Sequence, residues 1–438
     1  MTLINHTRAA VSLLALALAG TSLRADSNWT RFRGPNGSGL AVSAKPPITW
    51  SDSQGVKWKA ALPGPGTSSP ILVGERIFVT SFSGYGDGGN GGPADLKRHL
   101  VCLDQKTGKI LWSRTVATEQ SEDRYEGFLA EHGYASHTPA SDGNQVYVYF
   151  SKSGALAFDL NGKELWRTNL GKGSNFKNWG SASSPVLHKE LVIINASEES
   201  HAIYGLDRKT GRQVWKAEAD TLENTFGSPA LVESEGRTDL VFAVPGELWG
   251  MNPDTGKLRW YAESGLPQNI APSVVVGEGV VYAFGGFPQL GAVAVRTGGK
   301  GDVTKTHVLW SSRNSSYVPT PVLHEGRLYF ASDQGFAMCL DAKTGDLVYK
   351  ERLPGASASG RGGKPFYASP VLANGRLYVV SRRNGSFVIE AKPEFKLVAH
   401  NLLAADTSQF NATPAVSGTK LFLRSDRYIY CIDADSQQ

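Results

Sequence analysis

Eight times along this chain a small residue and a proline open an apolar strand, and a turn of the form Asp-x-Lys-Thr-Gly-x-x-x-Trp usually follows. The prolines are Pro70, Pro139, Pro185, Pro229, Pro272, Pro321, Pro370 and Pro414. After the first gap, successive prolines stand 43 to 49 residues apart. A strand-built period in the forties is the mark of propeller blades. The repeat therefore constrains the architecture before any catalytic motif is weighed. It also implies that recurring residues serve packing, so function is sought where the repeats differ.

One unit is legible over residues 320–349. Pro321-Val322-Leu323 begins a strand, and Glu325-Gly326 turns the chain. Residues 327–331 and 336–340 alternate as second and third strands. Asp341-Ala342-Lys343-Thr344-Gly345 turns into a fourth. Short alternating strands parted by Gly and Asp turns make antiparallel blades. An aromatic closes the fourth strand at Trp112, Trp166, Trp215, Trp260, Trp310 and Tyr349, where it can wedge one blade against the next. The seventh repeat places Val398 in that slot. The eighth has three strands, and residues 56–59, ending beside Trp58, match the missing fourth. The fold class expected is all-β: an eight-bladed propeller of four-stranded antiparallel blades, with seven blades as the alternative. Closing the ring with both chain ends removes exposed sheet edges.

Residues 1–25 have the layout of a secretory signal peptide: Arg8, an apolar stretch from Ala9, and a small-residue site ending at Ala25. Residues 26–49 read as an N-terminal extension and 50–438 as one propeller. The apolar stretch is too short to cross a bilayer, which needs roughly 20 residues. Without the leader, 43 basic side chains face 40 acidic ones. That balance, and the absence of nucleic-acid-binding motifs, speaks against a nucleic-acid partner. Cys102, Cys339 and Cys431 each stand two residues before a turn acid, where other repeats carry Ala157 or Gly205. They read as small hydrophobes rather than disulfide or metal ligands.

Long insertions cluster on one face, at residues 81–98, 113–136 and 353–366; residues 298–306 lie on the other. Loops on a rigid scaffold carry function, so the candidate site is the channel mouth on the decorated face. Tyr134, His137, Trp179, Phe226, Asn269, Tyr317, Tyr367 and Asn411 precede the strand-opening prolines and should rim it. Arg382, Arg383, Arg424 and Arg427 leave second strands nearby and could meet an anionic ligand. Glu122, Asp123, Glu126 and Glu131 could offer oxygens to a hard cation, but their spacing demands none. His132 and His137 are expected to be hydrogen-bonded structural histidines. Gly84–Gly92 lacks the Gly-Lys-Ser/Thr of a phosphate loop.

The turns Asp104-Gln105-Lys106-Thr107-Gly108-Lys109-Ile110-Leu111-Trp112 and Asp207-Arg208-Lys209-Thr210-Gly211-Arg212-Gln213-Val214-Trp215 resemble the repeat of the pyrroloquinoline-quinone (PQQ) type propellers. That superfamily includes quinoprotein alcohol dehydrogenases and the periplasmic outer-membrane assembly lipoprotein. The opening Trp29-Thr30-Arg31-Phe32-Arg33-Gly34-Pro35-Asn36-Gly37-Ser38-Gly39 more narrowly resembles exported PQQ-like repeat proteins of planctomycete-type bacteria. The resemblance covers the whole mature chain and specifies fold better than function. The adjacent cysteine pair of the quinoprotein alcohol dehydrogenases is absent, and no catalytic residue carries over. The expectation is an exported, monomeric, non-catalytic scaffold that binds a protein or envelope component. The alternatives are a PQQ- and calcium-dependent alcohol or sugar dehydrogenase, and a carbohydrate-binding module using the rim aromatics.

Overall fold

The structure, a computed structural model, describes residues 29–118, 120–356 and 363–433. The expected leader over residues 1–25 lies outside them. Eight antiparallel sheets of four strands succeed one another around a ring. The eighth takes its outer strand, Val56–Ala61, from the start of the chain. Trp58 pairs with Cys431 there. Among the described residues no helix is long and apolar enough to cross a membrane.

The recurrent turn explains itself in three dimensions. Four closing tryptophans donate the indole N–H to a carbonyl in the next blade's turn: Trp112 to Leu160 at 3.1 Å, Trp166 to Arg208 at 2.9 Å, Trp215 to Pro253 at 3.0 Å and Trp310 to Ala342 at 2.9 Å; Trp260 donates instead to Asp239 Oδ2 within its own blade at 2.8 Å. The ring lies on the turn glycine. A Cβ on Gly211 would stand 2.5 Å from Trp166, and one on Gly345 2.6 Å from Trp310. The glycine thus serves twice, through its positive φ and through its missing side chain. Behind the aromatic, the directly opposed third-strand residue must be small. Cys102 faces Trp112, Gly205 faces Trp215 and Cys339 faces Tyr349. The three cysteines are free and buried, and burial pushes each thiol up to about 12.

Two blades depart from the expected register. In blade seven the turn is one residue longer, with Glu390 N–H bonded to Lys396 O. The slot opposite Val388 therefore holds Ala399, not Val398. Trp50, just after the extension, supplies the missing ring, stacked on Tyr378 at 6.4 Å. In blade five the strand begins at Val275, and Val274 stands where other blades have proline, two residues after Pro272. Blade one carries longer strands than expected, Arg76–Ser83, Lys97–Asp104 and Ile110–Ala117. Its insertions begin later, at 84–96 and after 117.

A circle of hydroxyls joins the inner strands. The N–H of Ser69 donates to Thr138 Oγ1 at 2.9 Å, and that of Thr138 to Ser184 Oγ at 3.0 Å. The relay continues through Ser228, Ser273, Thr320 and Ser369 to Thr413, every step between 2.8 and 3.0 Å. At the closing seam Arg424 is 1% exposed and donates to Ser68 O at 2.7 Å and Thr80 O at 2.6 Å.

The extension is part of the propeller. Residues 29–41 cross the channel, bonding the inner strands up to three positions beyond the hydroxyl circle. Thr30 O accepts from Ser141, Arg31 donates to Pro229 O, and Asn36 exchanges bonds with Leu231. Arg33, fully buried, donates to Thr320 O at 2.5 Å and Pro321 O at 2.6 Å. Leu40–Ala41 then adds a short parallel strand to blade seven.

Candidate functional site

The crossing segment turns the channel into a chamber of about 140 Å³. Phe32 forms its floor and the hydroxyl circle its wall. A second tier comes from the residues two positions ahead of each hydroxyl, among them Ser136, Phe226, Tyr367 and Asn411. The roof belongs to the blade one–two connection. Phe128 packs on Trp179 at 5.0 Å, Tyr367 at 6.0 Å and Tyr317 at 6.2 Å. The helical turn Leu129–His132 behind it is pinned on both sides. Glu131 pairs with Arg382 at 2.5 Å, and His132 Nε2 donates to Trp179 O at 2.8 Å.

Trp179, Phe226, Asn269, Tyr317, Tyr367 and Asn411, singled out from the sequence, all line this chamber. Tyr134 and His137 do not. Tyr134 is buried in an aromatic knot with Phe82, Tyr85 and Tyr125 beneath the long loops, its hydroxyl on Asp123 O. The insertion in blade one drew it off the rim. His137 is 2% exposed, bonded to Ser181 Oγ at 3.0 Å, and burial lowers it to about 3, helped by Arg98 and His132. His132 bonds Ser136 Oγ and Trp179 O where it lines the chamber, so both histidines are engaged by neighbours within the fold.

The expected arginine quartet splits. Arg424 is the seam described above, and Arg382 is engaged by Glu131, Asn411 and the face of Tyr367. Only Arg383 and Arg427 present exposed side chains. Phe32, Phe128 and the hydroxyls were missed as site residues. The hydroxyls had a signal, since Ser or Thr recurs before the strand-opening proline; Phe128 had none in the repeat.

A quinone with calcium needs convergent carboxylate oxygens beside a stacking ring. The chamber offers Trp179 as the ring, but its lining includes no Asp, Glu, Lys or Arg. Three of the loop acids are paired, Glu122 with Arg98 at 2.9 Å, Asp123 with Lys152 at 2.9 Å and Glu131 with Arg382, and Glu126 is exposed. Glu198 and Glu199 lie in a separate recess of about 20 Å³. Glu198 accepts from Asn224 N–H at 2.8 Å and from Asn175. Burial, reinforced by Glu199, pushes Glu198 up to about 8. Among the described residues no cluster of three or more His, Cys, Asp or Glu could hold a metal. These residues do not fit the quinone–calcium pair.

Comparison with known proteins agrees with the architecture. A family model described as "Outer membrane protein assembly factor BamB" matches residues 27–174, 96–351 and 300–393. The chain is 23% identical over 243 residues to the outer membrane protein assembly factor BamB of Yersinia pestis, covering 50% of this chain and 58% of that protein. It is 24% identical over 251 residues to a polyvinylalcohol dehydrogenase of a Pseudomonas species, covering 47% and 35%. It thus spans between 35% and 58% of the length of these relatives. The crystal structure of BamB from Moraxella catarrhalis superposes with a TM-score of 0.58 at 13% identity, covering 86% of this chain and 96% of that one. At that identity the likeness is one of fold. With the model matching most of its length, this chain belongs to the family of PQQ-like propellers described as outer membrane protein assembly factor BamB.

Proposed function

We propose that this chain is an exported, monomeric, non-catalytic propeller that holds a protein or envelope component on its loop-rich face. One observation carries the reading. The mouth of the channel is filled by the chain's own connection, locked by Glu131 to Arg382 and by His132 to Trp179. The decorated face is therefore a built platform rather than an open cofactor cleft. Arg383 and Arg427 give it exposed positive charge, suited to an acidic partner segment. The name of the Yersinia relative, an assembly factor for outer membrane proteins, points the same way.

The test uses purified protein against solubilised envelope. Capture should fall in the pair Arg383→Glu, Arg427→Glu and survive Lys343→Glu, in a blade turn on the opposite face. Capture indifferent to the pair would refute the face. In parallel, titration with PQQ and calcium should give no cofactor spectrum and no dye reduction on alcohols or sugars. Turnover would replace the scaffold reading with the dehydrogenase.

A further inference from the structure

The chamber under Phe128 has a chemistry of its own, independent of what the outer face binds. Each wall hydroxyl from Thr138 to Thr413 uses one lone pair to accept a backbone N–H from the preceding blade. No acceptor within the protein takes the proton of any of the hydroxyls in this circle among the described hydrogen bonds. Their O–H groups and second lone pairs are left for whatever occupies the space they line. A ring of small donors and acceptors with fixed oxygens is thus presented to one small volume.

Charge selects against ions. With no Asp, Glu, Lys or Arg in the lining, a buried ion would lose its hydration without touching a counter-charge; Lys177 and Lys364 stand behind the lining, engaged by Asn269, Trp179 and Tyr317. The tiers above and below are aromatic: Phe32 beneath, Phe226 and Tyr367 beside, Trp179, Tyr317 and Phe128 above. All but Tyr317 are only half-buried, so they keep surface to offer. Size sets the last limit. A chamber of about 140 Å³ is close to the roughly 150 Å³ cavity that accepts a benzene ring. One six-membered ring fits, and an extended chain does not.

We infer that the chamber is a binding site for a single small uncharged polyol or monosaccharide, its hydroxyls met by the Ser/Thr circle and its apolar C–H face by the surrounding aromatics. Such a ligand is polar at its edge and apolar on its face, as the chamber is. Entry requires the Phe128 turn to lift, and the Glu131–Arg382 pair is its clasp.

The test is equilibrium dialysis of the full protein with labelled glycerol, D-xylose and D-glucose, with acetate and chloride as charged probes. Tryptophan emission offers a second readout, since Trp179 is the one indole in the lining. Saturable binding of at least one uncharged probe is expected, with faster uptake in Phe128→Ala. Loss of one hydroxyl partner in Ser184→Ala should weaken it about tenfold. Ser184→Thr should restore it, separating lost contact from lost fold, and Trp179→Ala should weaken it comparably. Three outcomes overturn the inference: no polyol bound by either the wild type or Phe128→Ala; acetate or chloride preferred; or sugar binding indifferent to both Ser184→Ala and Trp179→Ala.

Discussion

The indole of Trp58, on a strand that begins the propeller, lies against Gly108, in the turn of the first complete blade. A Cβ on Gly108 would stand 2.5 Å from the ring. Trp58 also donates to Gln105 O at 3.2 Å, so the contact made by Trp112, Trp166, Trp215 and Trp310 is repeated across the closure. The last sheet is held to the first by a residue that is near the first in sequence and in the last by pairing. Gly108 has φ +72, where any side chain adds backbone strain to the clash. Gly108→Ala should therefore cost about 2–4 kcal/mol, and Trp58→Ala about as much. Denaturant unfolding measures both. A loss below about 0.5 kcal/mol for either would mean that the ring closes by other means.

The hydroxyl circle predicts a chemical rather than steric sensitivity. Ser228 Oγ is the acceptor of the Ser184 N–H at 2.8 Å, in a buried position. Ser228→Ala removes little volume but orphans that donor, at a cost of about 1–3 kcal/mol. Ser228→Thr keeps the oxygen and should lose much less. Thermal unfolding of the two variants side by side decides it; equal losses would show that the oxygen is unimportant.

What the residues announced in advance follows from how local each device is. The turn and its tryptophan lie within nine residues of each other, so the blade, the aromatic slot and even the role of Trp58 were legible. Periodicity alone puts Val398 in the slot, because it does not reveal the one extra turn residue that shifts the strand's register. Nothing local separates Arg424 from ligand-seeking arginines, because its partner, Ser68, is 356 positions away. Counting back from a proline puts Tyr134 on the rim, yet the long insertions of blade one make a small core of their own and absorb it. Phe32 and Phe128 come from the segments that interrupt the repeat, where no internal comparison was available.

Arg424 and Arg427 stand three residues apart and should respond oppositely to substitution. Arg424 is 1% exposed, its charge disfavoured by burial and its pKa lowered to about 9, yet it satisfies the carbonyls of Ser68 and Thr80. Arg424→Ala strands those groups and opens a void, costing about 3–5 kcal/mol. Arg427 is exposed, and Arg427→Ala should change stability by no more than about 0.5 kcal/mol. Partner capture should show the reverse order once the comparison is restricted to folded protein. A stable Arg424→Ala would remove the seam from the account of ring closure.

Glu198 makes stability depend on pH in a direction unusual for a carboxylate. Its folded pKa is raised to about 8 by burial and by Glu199, against about 4.3 in an unfolded chain. The native state therefore holds this proton more tightly than the unfolded state. The contribution is fully present below the unfolded value and is lost as pH rises from about 4.5 to 8. His137 works from the other side. Its folded pKa is lowered to about 3, so its contribution is present above about 6.5 and is lost as pH falls below that. Between the two unfolded values both groups give up part of their contribution, and above about 6.5 only the Glu198 loss continues. Glu198→Gln keeps the shape and an acceptor for the Asn224 N–H while removing the titration. The melting temperature of the variant should fall less than that of the wild type between pH 6.5 and 8, with the two curves converging near pH 5. Parallel curves across that window would mean that Glu198 is ionised in the folded protein, and that a cation supplied by the surroundings compensates it.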